Sequence, residues 1–417
     1  MRSKPGFLLA RLRERLWFKP LLYCIAALIA AALARAADFL AIGSFAPEIS
    51  SDTIEKLLTI ISSSMLAVAT FAVASMISAF ASASRSATPR SFALVIADDV
   101  SQTALSSFIG AFIFSVVALV ALKSGLFSHA GMFVAFLFTL AIFGWVILTF
   151  VRWVDNIARL GRLGSTIDKI ERATHAALMA RAKRPRMGGM SDWSDNTADI
   201  AIHCGQIGYV QHIDMQALQD IACDVSCRIK LATPTGGFVT PDRPLAFVSA
   251  DKPVDEKKSR KAILEVFTVG KDRTFQEDPR FGLIALSEIA SRALSPAVND
   301  PGTAIAVIGV VNRLLTYWAQ AQRDEEPEEI VFDRIYVQPL DCADLFEDAF
   351  TGIARDGAGM VEVGVRLQKC LSALTSLGHE DIARQSIAMS EHAVARARLA
   401  INFEPDIARI EACMPRR

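Results

Sequence analysis

The chain has 417 residues, 52% of them hydrophobic and 21% charged, with a mean hydropathy of +0.34. This apolar excess points to membrane segments. The balance of 44 Lys and Arg against 44 Asp and Glu excludes a general nucleic-acid binder with its basic surplus, and seven scattered cysteines do not make a disulfide framework.

In chain order, a basic arm (Arg2, Lys4, Arg11, Arg13, Arg15, Lys19) precedes an apolar run from Trp17 to Ala34, with Phe39 to Ile42 as an extension. The arm is long and three further apolar runs follow, so we read a retained first helix in place of a cleaved signal. Arg35 and Asp38 stand three apart, a spacing at which helical side chains pair. The second run, Leu57 to Ser84, carries no charge and interleaves hydroxyls (Ser62, Ser63, Ser64, Thr70, Ser75, Ser78, Ser82) with alanines. Small residues let helix backbones approach, and hydroxyls line watery paths or bond across helices. The third run covers Thr103 to Leu122. The fourth covers Gly131 to Val151 and is flanked by Trp145 and Trp153 in an interfacial pattern. The first, third and fourth are close to the roughly 20 residues that a hydrocarbon core of roughly 30 Å requires, and the second is longer.

Basic residues concentrate in the N-terminal arm, between the second and third runs (Arg85, Arg90), and after the fourth (Arg152, Arg159, Arg162, Lys169, Arg172). The positive-inside rule therefore predicts both termini in the cytoplasm. The predicted fold is an α-helical polytopic membrane domain of four transmembrane helices (1–155), then a juxtamembrane helix and linker (156–194), then a cytoplasmic α+β domain (195–417).

In the cytoplasmic part, Ile213 to Val225 has helical period with Asp214 as N-cap. Cys227 to Leu231, Phe238-Val239 and Leu245 to Val248 read as short strands with a tight hairpin, and Ala262 to Val269 is ambiguous. Pro279 to Leu294 and Thr303 to Ala321 read as helices, Val331 to Val337 as a strand, and the rest as mostly helical.

Three stretches resemble a known family: DPRFGLIALSEIASRALSPAVNDPGTA (Asp278 to Ala304), GYVQHIDMQAL (Gly208 to Leu218) and GGFVTPDRPLAFV (Gly236 to Val248). Together they resemble the bacterial membrane-protein family catalogued as domain of unknown function 2254. The resemblance implies an integral membrane protein and brings no catalytic residue, substrate or cofactor with it. The stretch ASRSATPR (83–90) departs from the Phe-Ser-Pro-Arg run of relatives.

Two sets of residues are candidate sites. Pro296 ends one helix, and Asp300-Pro301 starts the next as N-cap and first helical position. Arg292, Ser295, Asn299, Asp300 and Thr303 thus gather in one interhelical turn. It reads either as a site for a small polar or anionic ligand, with Arg292 as counter-charge, or as a turn whose polar groups satisfy one another. Ser62, Ser63, Thr70, Ser75, Ser78 and Ser82 line a pore or pack against a neighbouring helix. His203, Cys204, His212, Cys223 and Cys227 match no common zinc spacing, so no metal and no cofactor is expected. No enzyme motif stands out. The expectation is a homo-oligomeric channel or transport-like protein in the lipid bilayer, with a cytoplasmic sensing or gating domain. The alternative is a non-conducting membrane-anchored sensor or scaffold that binds a small polar ligand or an unidentified soluble partner.

Overall fold

The computed structural model describes residues 5–7, 17–37, 47, 49–86, 88–91, 94, 98–159, 162–191, 193, 200–250, 256–323 and 329–416. The expected Phe39 to Ile42 extension and the Asp38 partner of Arg35 lie outside them. By contacts the chain divides into two units, Leu9–Thr166 and Met1–Leu8 with Ile167–Arg417.

The first unit holds α1 (Phe18–Ala36), α2 (Ser51–Ser86), α3 (Asp99–Lys123) and α4 (His129–Arg159). Hydrocarbon offers no partner to a backbone N–H or C=O, so an uninterrupted helix is the form such apolar runs take. α2 and α4 are longer than their apolar runs because charged turns continue them. α3 is the hub: it packs against α1, α2 and α4, and 11 of its 25 residues are buried. Close approach explains this. A Cβ on Gly110 would stand 3.1 Å from the Tyr23 Cβ, so a small residue there lets α1 press on α3. Asp98 caps α3 by accepting from the Ser101 N–H at 3.0 Å and from the Asn156 Nδ2 at 2.6 Å.

Trp153 is not an interfacial residue; it is 1% exposed. Its ring sits among Phe71, Phe108 and Phe150 at centroid distances of 6.1–6.3 Å. Trp145 is 44% exposed and donates from Nε1 to the Ser107 Oγ at 2.9 Å.

The second unit is α+β. Its elements are α5 (Leu163–Lys183), β1 (Gly189–Met190), β2 (Ile200–His203), β3 (Gly208–Ile213), α6 (Met215–Asp224), β4 (Cys227–Leu231), β5 (Phe238–Val239), β6 (Pro244–Ala250), α7 (Glu256–Val266), β7 (Phe267–Gly270), α8 (Pro279–Ala293), α9 (Pro301–Arg323), β8 (Phe332–Tyr336), α10 (Cys342–Asp356), α11 (Val361–Thr375), α12 (Glu380–Ala400) and α13 (Glu404–Glu411). One sheet runs β1-β8-β4-β6-β2 and a second runs β5-β3-β7. The expected hairpin of β5 and β6 is not a paired hairpin: β5 pairs with β3, while β6 pairs with β4 and β2. The residues between them carry the chain from one sheet to the other.

Alternation fixes the faces of the larger sheet. Ile229, Leu231, Ala246, Val248 and Ile335 join a core with Met215, Leu218 and Ala222 of α6 and Ile263 and Val266 of α7. The opposite face carries Arg228, Lys230 and Phe247; Lys230 and Phe247 are cross-strand partners. Beyond the sheets, α8 packs on α9 and α10, and α11 on α9, α12 and α13. α8 also lies close on α5, where a Cβ on Gly282 would collide with Thr174. A fifth helix, α9, has the length and hydropathy for a membrane crossing, with half of its apolar window buried.

Candidate functional site

The sequence-predicted turn is built as its local signals require. Asn299 has φ 51°, a left-handed conformation that Asn tolerates better than most residues. Its N–H donates to the Ser295 carbonyl at 2.8 Å, and the Asp300 N–H donates to Ala293 O at 2.8 Å. The Ser295 Oγ donates to Arg292 O at 2.7 Å. Asp300 caps α9, accepting from the Thr303 N–H at 3.0 Å and the Thr303 Oγ1 at 2.6 Å. Ser295, Asn299, Asp300 and Thr303 are therefore brought together, with the side chains of Ser295, Asp300 and Thr303 and the Asn299 N–H engaged on one another and on backbone.

These bonds from Thr303 hold the Asp300 carboxyl below its usual range. A depressed native value means stability that is present above the unfolded value and lost as pH falls through the native one. Asp300→Ala is expected to cost about 1 kcal/mol near neutral pH. The loss should shrink toward zero in acid, as read by denaturant unfolding of both proteins across pH. A pH-independent difference would refute the capping role.

On α2, Ser62 and Ser63 donate to the Thr59 carbonyl at 3.0 and 2.9 Å, and Thr70 donates to Leu66 O at 2.6 Å. The hydroxyls of Ser75 and Ser78 have no partner among the described residues. Ser63, Thr70, Ser78 and Ser82 are exposed within the unit, and Ser62 and Ser75 are half-buried.

Sequence reasoning missed a cleft of about 730 Å³ in the α+β unit. All three stretches that carry the family resemblance contribute to its walls. Tyr209 comes from the first by position. Gly236, Gly237, Phe238, Arg243 and Phe247 come from the second, and Asp278, Pro279 and Arg280 from the third. Arg181 of α5, Lys230 of β4 and Arg273 complete a set of five cations, against the carboxylates of Asp278, Asp341 and Asp344.

Asp278 organises one wall. Its carboxylate accepts from Arg273 at Nε (2.6 Å) and Nη2 (2.9 Å), and from the Phe281 N–H (3.2 Å) that opens α8. Gly236, at φ 85°, lies so close that any Cβ there would strike this carboxylate. Burial pushes the Asp278 carboxyl above its usual range despite Arg273 beside it. Arg280 crosses from α8 to α10, where it pairs with Asp348 at 2.6 Å and with Asp344. Asp341 caps α10 through the Ala343 N–H at 2.8 Å. Arg243 differs from these: its guanidinium has no hydrogen-bond or ion-pair partner among the described residues.

Behind this wall lies His212, whose side chain is 1% exposed. Its Nδ1 stands 2.8 and 2.9 Å from the two carboxylate oxygens of Glu277, so Nδ1 carries the proton and donates. Phe7 stacks on the imidazole at 4.7 Å and 6°. Of the other residues with metal-ligating chemistry, Cys227 is buried, and burial raises its thiol. Cys223 is exposed.

Long apolar helices in one unit and a mixed helical and stranded fold in the other define a membrane protein with a sizeable second unit. The chain belongs to the family described as predicted membrane protein (DUF2254), whose model matches residues 13–373. It is similar to the uncharacterized proteins Rv1290c of Mycobacterium tuberculosis and Mb1321c of Mycobacterium bovis. It is 36% identical to each over 106 residues, which are 24% of this chain and 20% of theirs. The match thus spans about a fifth of those relatives' length. No solved structure matches.

Proposed function

We propose that this is a membrane-anchored binding protein whose α+β unit takes a small anionic ligand in the cleft. The observation that carries this reading is the meeting of all three family-like stretches on one cation-rich cavity. A concave site with a few convergent charged groups is the usual form of a ligand pocket, and five cations over three carboxylates favour an anion.

The same reading takes α1 to α4 as the four crossings and α9 as part of the α+β unit. Supporting this, α9 packs on α8 and α11, and its Arg313 makes a two-point pair with Glu171 at 2.8 and 2.9 Å. The charge bias of the loops supports cytoplasmic termini in a bacterial inner membrane. The proposed division stays 1–155 for the membrane domain, 156–194 for the juxtamembrane segment and 195–417 for the cytoplasmic domain.

Calorimetric titration of the full chain in lipid nanodiscs with sodium pyrophosphate tests the binding role. Saturable binding is expected, weakened about ten-fold or more by Arg243→Ala, since a charged hydrogen bond is worth roughly 1.5–3 kcal/mol. Absence of binding at millimolar pyrophosphate would overturn it.

A second reading is a homo-oligomeric channel built on α2. The observation in its favour is the exposed hydroxyl face, with Ser75 and Ser78 unpartnered among the described residues. It requires ion or solute flux from reconstituted vesicles that falls when Ser78 is replaced by Leu. A monomer without flux would remove it.

A further inference from the structure

Resting on the anion-binding reading, we infer that the ligand of the cleft is a nucleotide, its base stacked on Tyr209 and Phe238 and its phosphates held by Arg243. The cleft has aromatic walls as well as charged ones. Tyr209 on β3 and Phe238 on β5 are register partners, and their rings meet edge to face at 5.0 Å. Phe238 is 41% exposed, and among the described residues no third ring covers the pair. An aromatic surface left open inside a polar cavity is a stacking platform for another ring.

The segment that carries Phe238 carries Arg243 five residues later, at the start of β6. Arg273 and Arg280 are occupied by Asp278, Asp344 and Asp348. Arg243 is available to a ligand, and its planar fork suits phosphate oxygens. Phe247 adds a third ring, beside its cross-strand partner Lys230, on the sheet face that lines the same cavity. A cavity of about 730 Å³ is far larger than a lone phosphate fills. It lies inside the range of roughly 300–1,000 Å³ that holds small organic ligands. An anion site alone explains neither the open rings nor the volume; a ring joined to phosphate explains both.

The test is calorimetry on the full chain in nanodiscs with three separate titrants: adenosine diphosphate, sodium pyrophosphate and adenosine. The diphosphate should bind about ten-fold or more tighter than pyrophosphate, since base stacking contributes roughly 5- to 150-fold in affinity. Adenosine should bind weakest. Phe238→Leu and Tyr209→Leu should each remove most of the preference for the nucleotide while leaving pyrophosphate affinity within about two-fold. Arg243→Ala should weaken both charged titrants. Equal affinity for pyrophosphate and the nucleotide, or a preference untouched by both ring substitutions, overturns the nucleotide inference and leaves the anion site standing. Failure of pyrophosphate and nucleotide alike removes the anion site as well. Unchanged melting temperatures establish that the variants are folded.

Discussion

Asp278→Ala should destabilise the α+β unit by about 3–5 kcal/mol, the usual cost of breaking one half of a buried ion pair. The side chain is 3% exposed and answers three donors, two on Arg273 and one on the first turn of α8. Its removal strands the Arg273 guanidinium, which lies 5.5 Å from the Phe281 ring centre, and leaves the Phe281 N–H without its cap. It also opens a space beside Gly236. For a unit of this size, a fall of roughly 6–20 °C in melting temperature is expected.

Asp278→Asn separates charge from capping. Burial holds this carboxyl above its usual range, so ionising it opposes folding. The group's contribution is full below its unfolded value and declines as pH rises through the raised native value. The advantage of the natural residue over Asn should therefore narrow with rising pH, measured by thermal unfolding in detergent from acid to neutral. A loss under 1 kcal/mol for the Ala variant would mean that Arg273 finds another partner and that this corner of the cleft is not fixed by Asp278.

The second large effect is expected in the membrane helices. Trp153→Ala should cost about 2–3 kcal/mol, less than the 3–5 typical of a buried aromatic in a water-soluble core. The difference has a physical source. Lipid tails are as apolar as the core, so the transfer contribution falls away and the lost packing with Phe71, Phe108 and Phe150 remains. Trp145→Ala should cost less than half as much, because that ring is 44% exposed and forfeits mainly its hydrogen bond to Ser107. Unfolding in bicelles distinguishes the two. Equal losses would place Trp153 outside the packed aromatic cluster.

The two tryptophans illustrate what was legible. Four apolar runs announced four long helices because each is a local property of the chain. Period and hydropathy do not say which face of a helix meets another helix, so Trp145 and Trp153 looked alike. The centrality of α3 left a trace that was passed over: Ala104, Ala111 and Ala118 recur every seven residues and are all buried. In the α+β unit, Asp214 and Asp300 were read correctly as caps because capping involves neighbours within three residues. β2 and β3 were missed, and β5 and β6 were joined in one hairpin, because short strands are assigned by partners distant in sequence. The cleft was invisible for the same reason. Its cations run from Arg181 to Arg280, and no window of sequence contains them. Only the three family-like stretches pointed that way, and what they share is a place in space.

One contact described above constrains the path of the chain from Phe7 to His212. Phe7 precedes all four long helices of the first unit, His212 follows them, and the two rings touch. The polypeptide between them is thus closed into a ring by a stacking interaction. A closed curve pierces any separating sheet an even number of times, whatever route it takes. While that contact holds, two or four of these helices can cross a bilayer, but one or three cannot. This parity is compatible with the four crossings proposed above and equally with two. It also means that an extension or deletion at the N-terminus that pulls Phe7 away opens the ring and removes a topological restraint that does not depend on hydropathy.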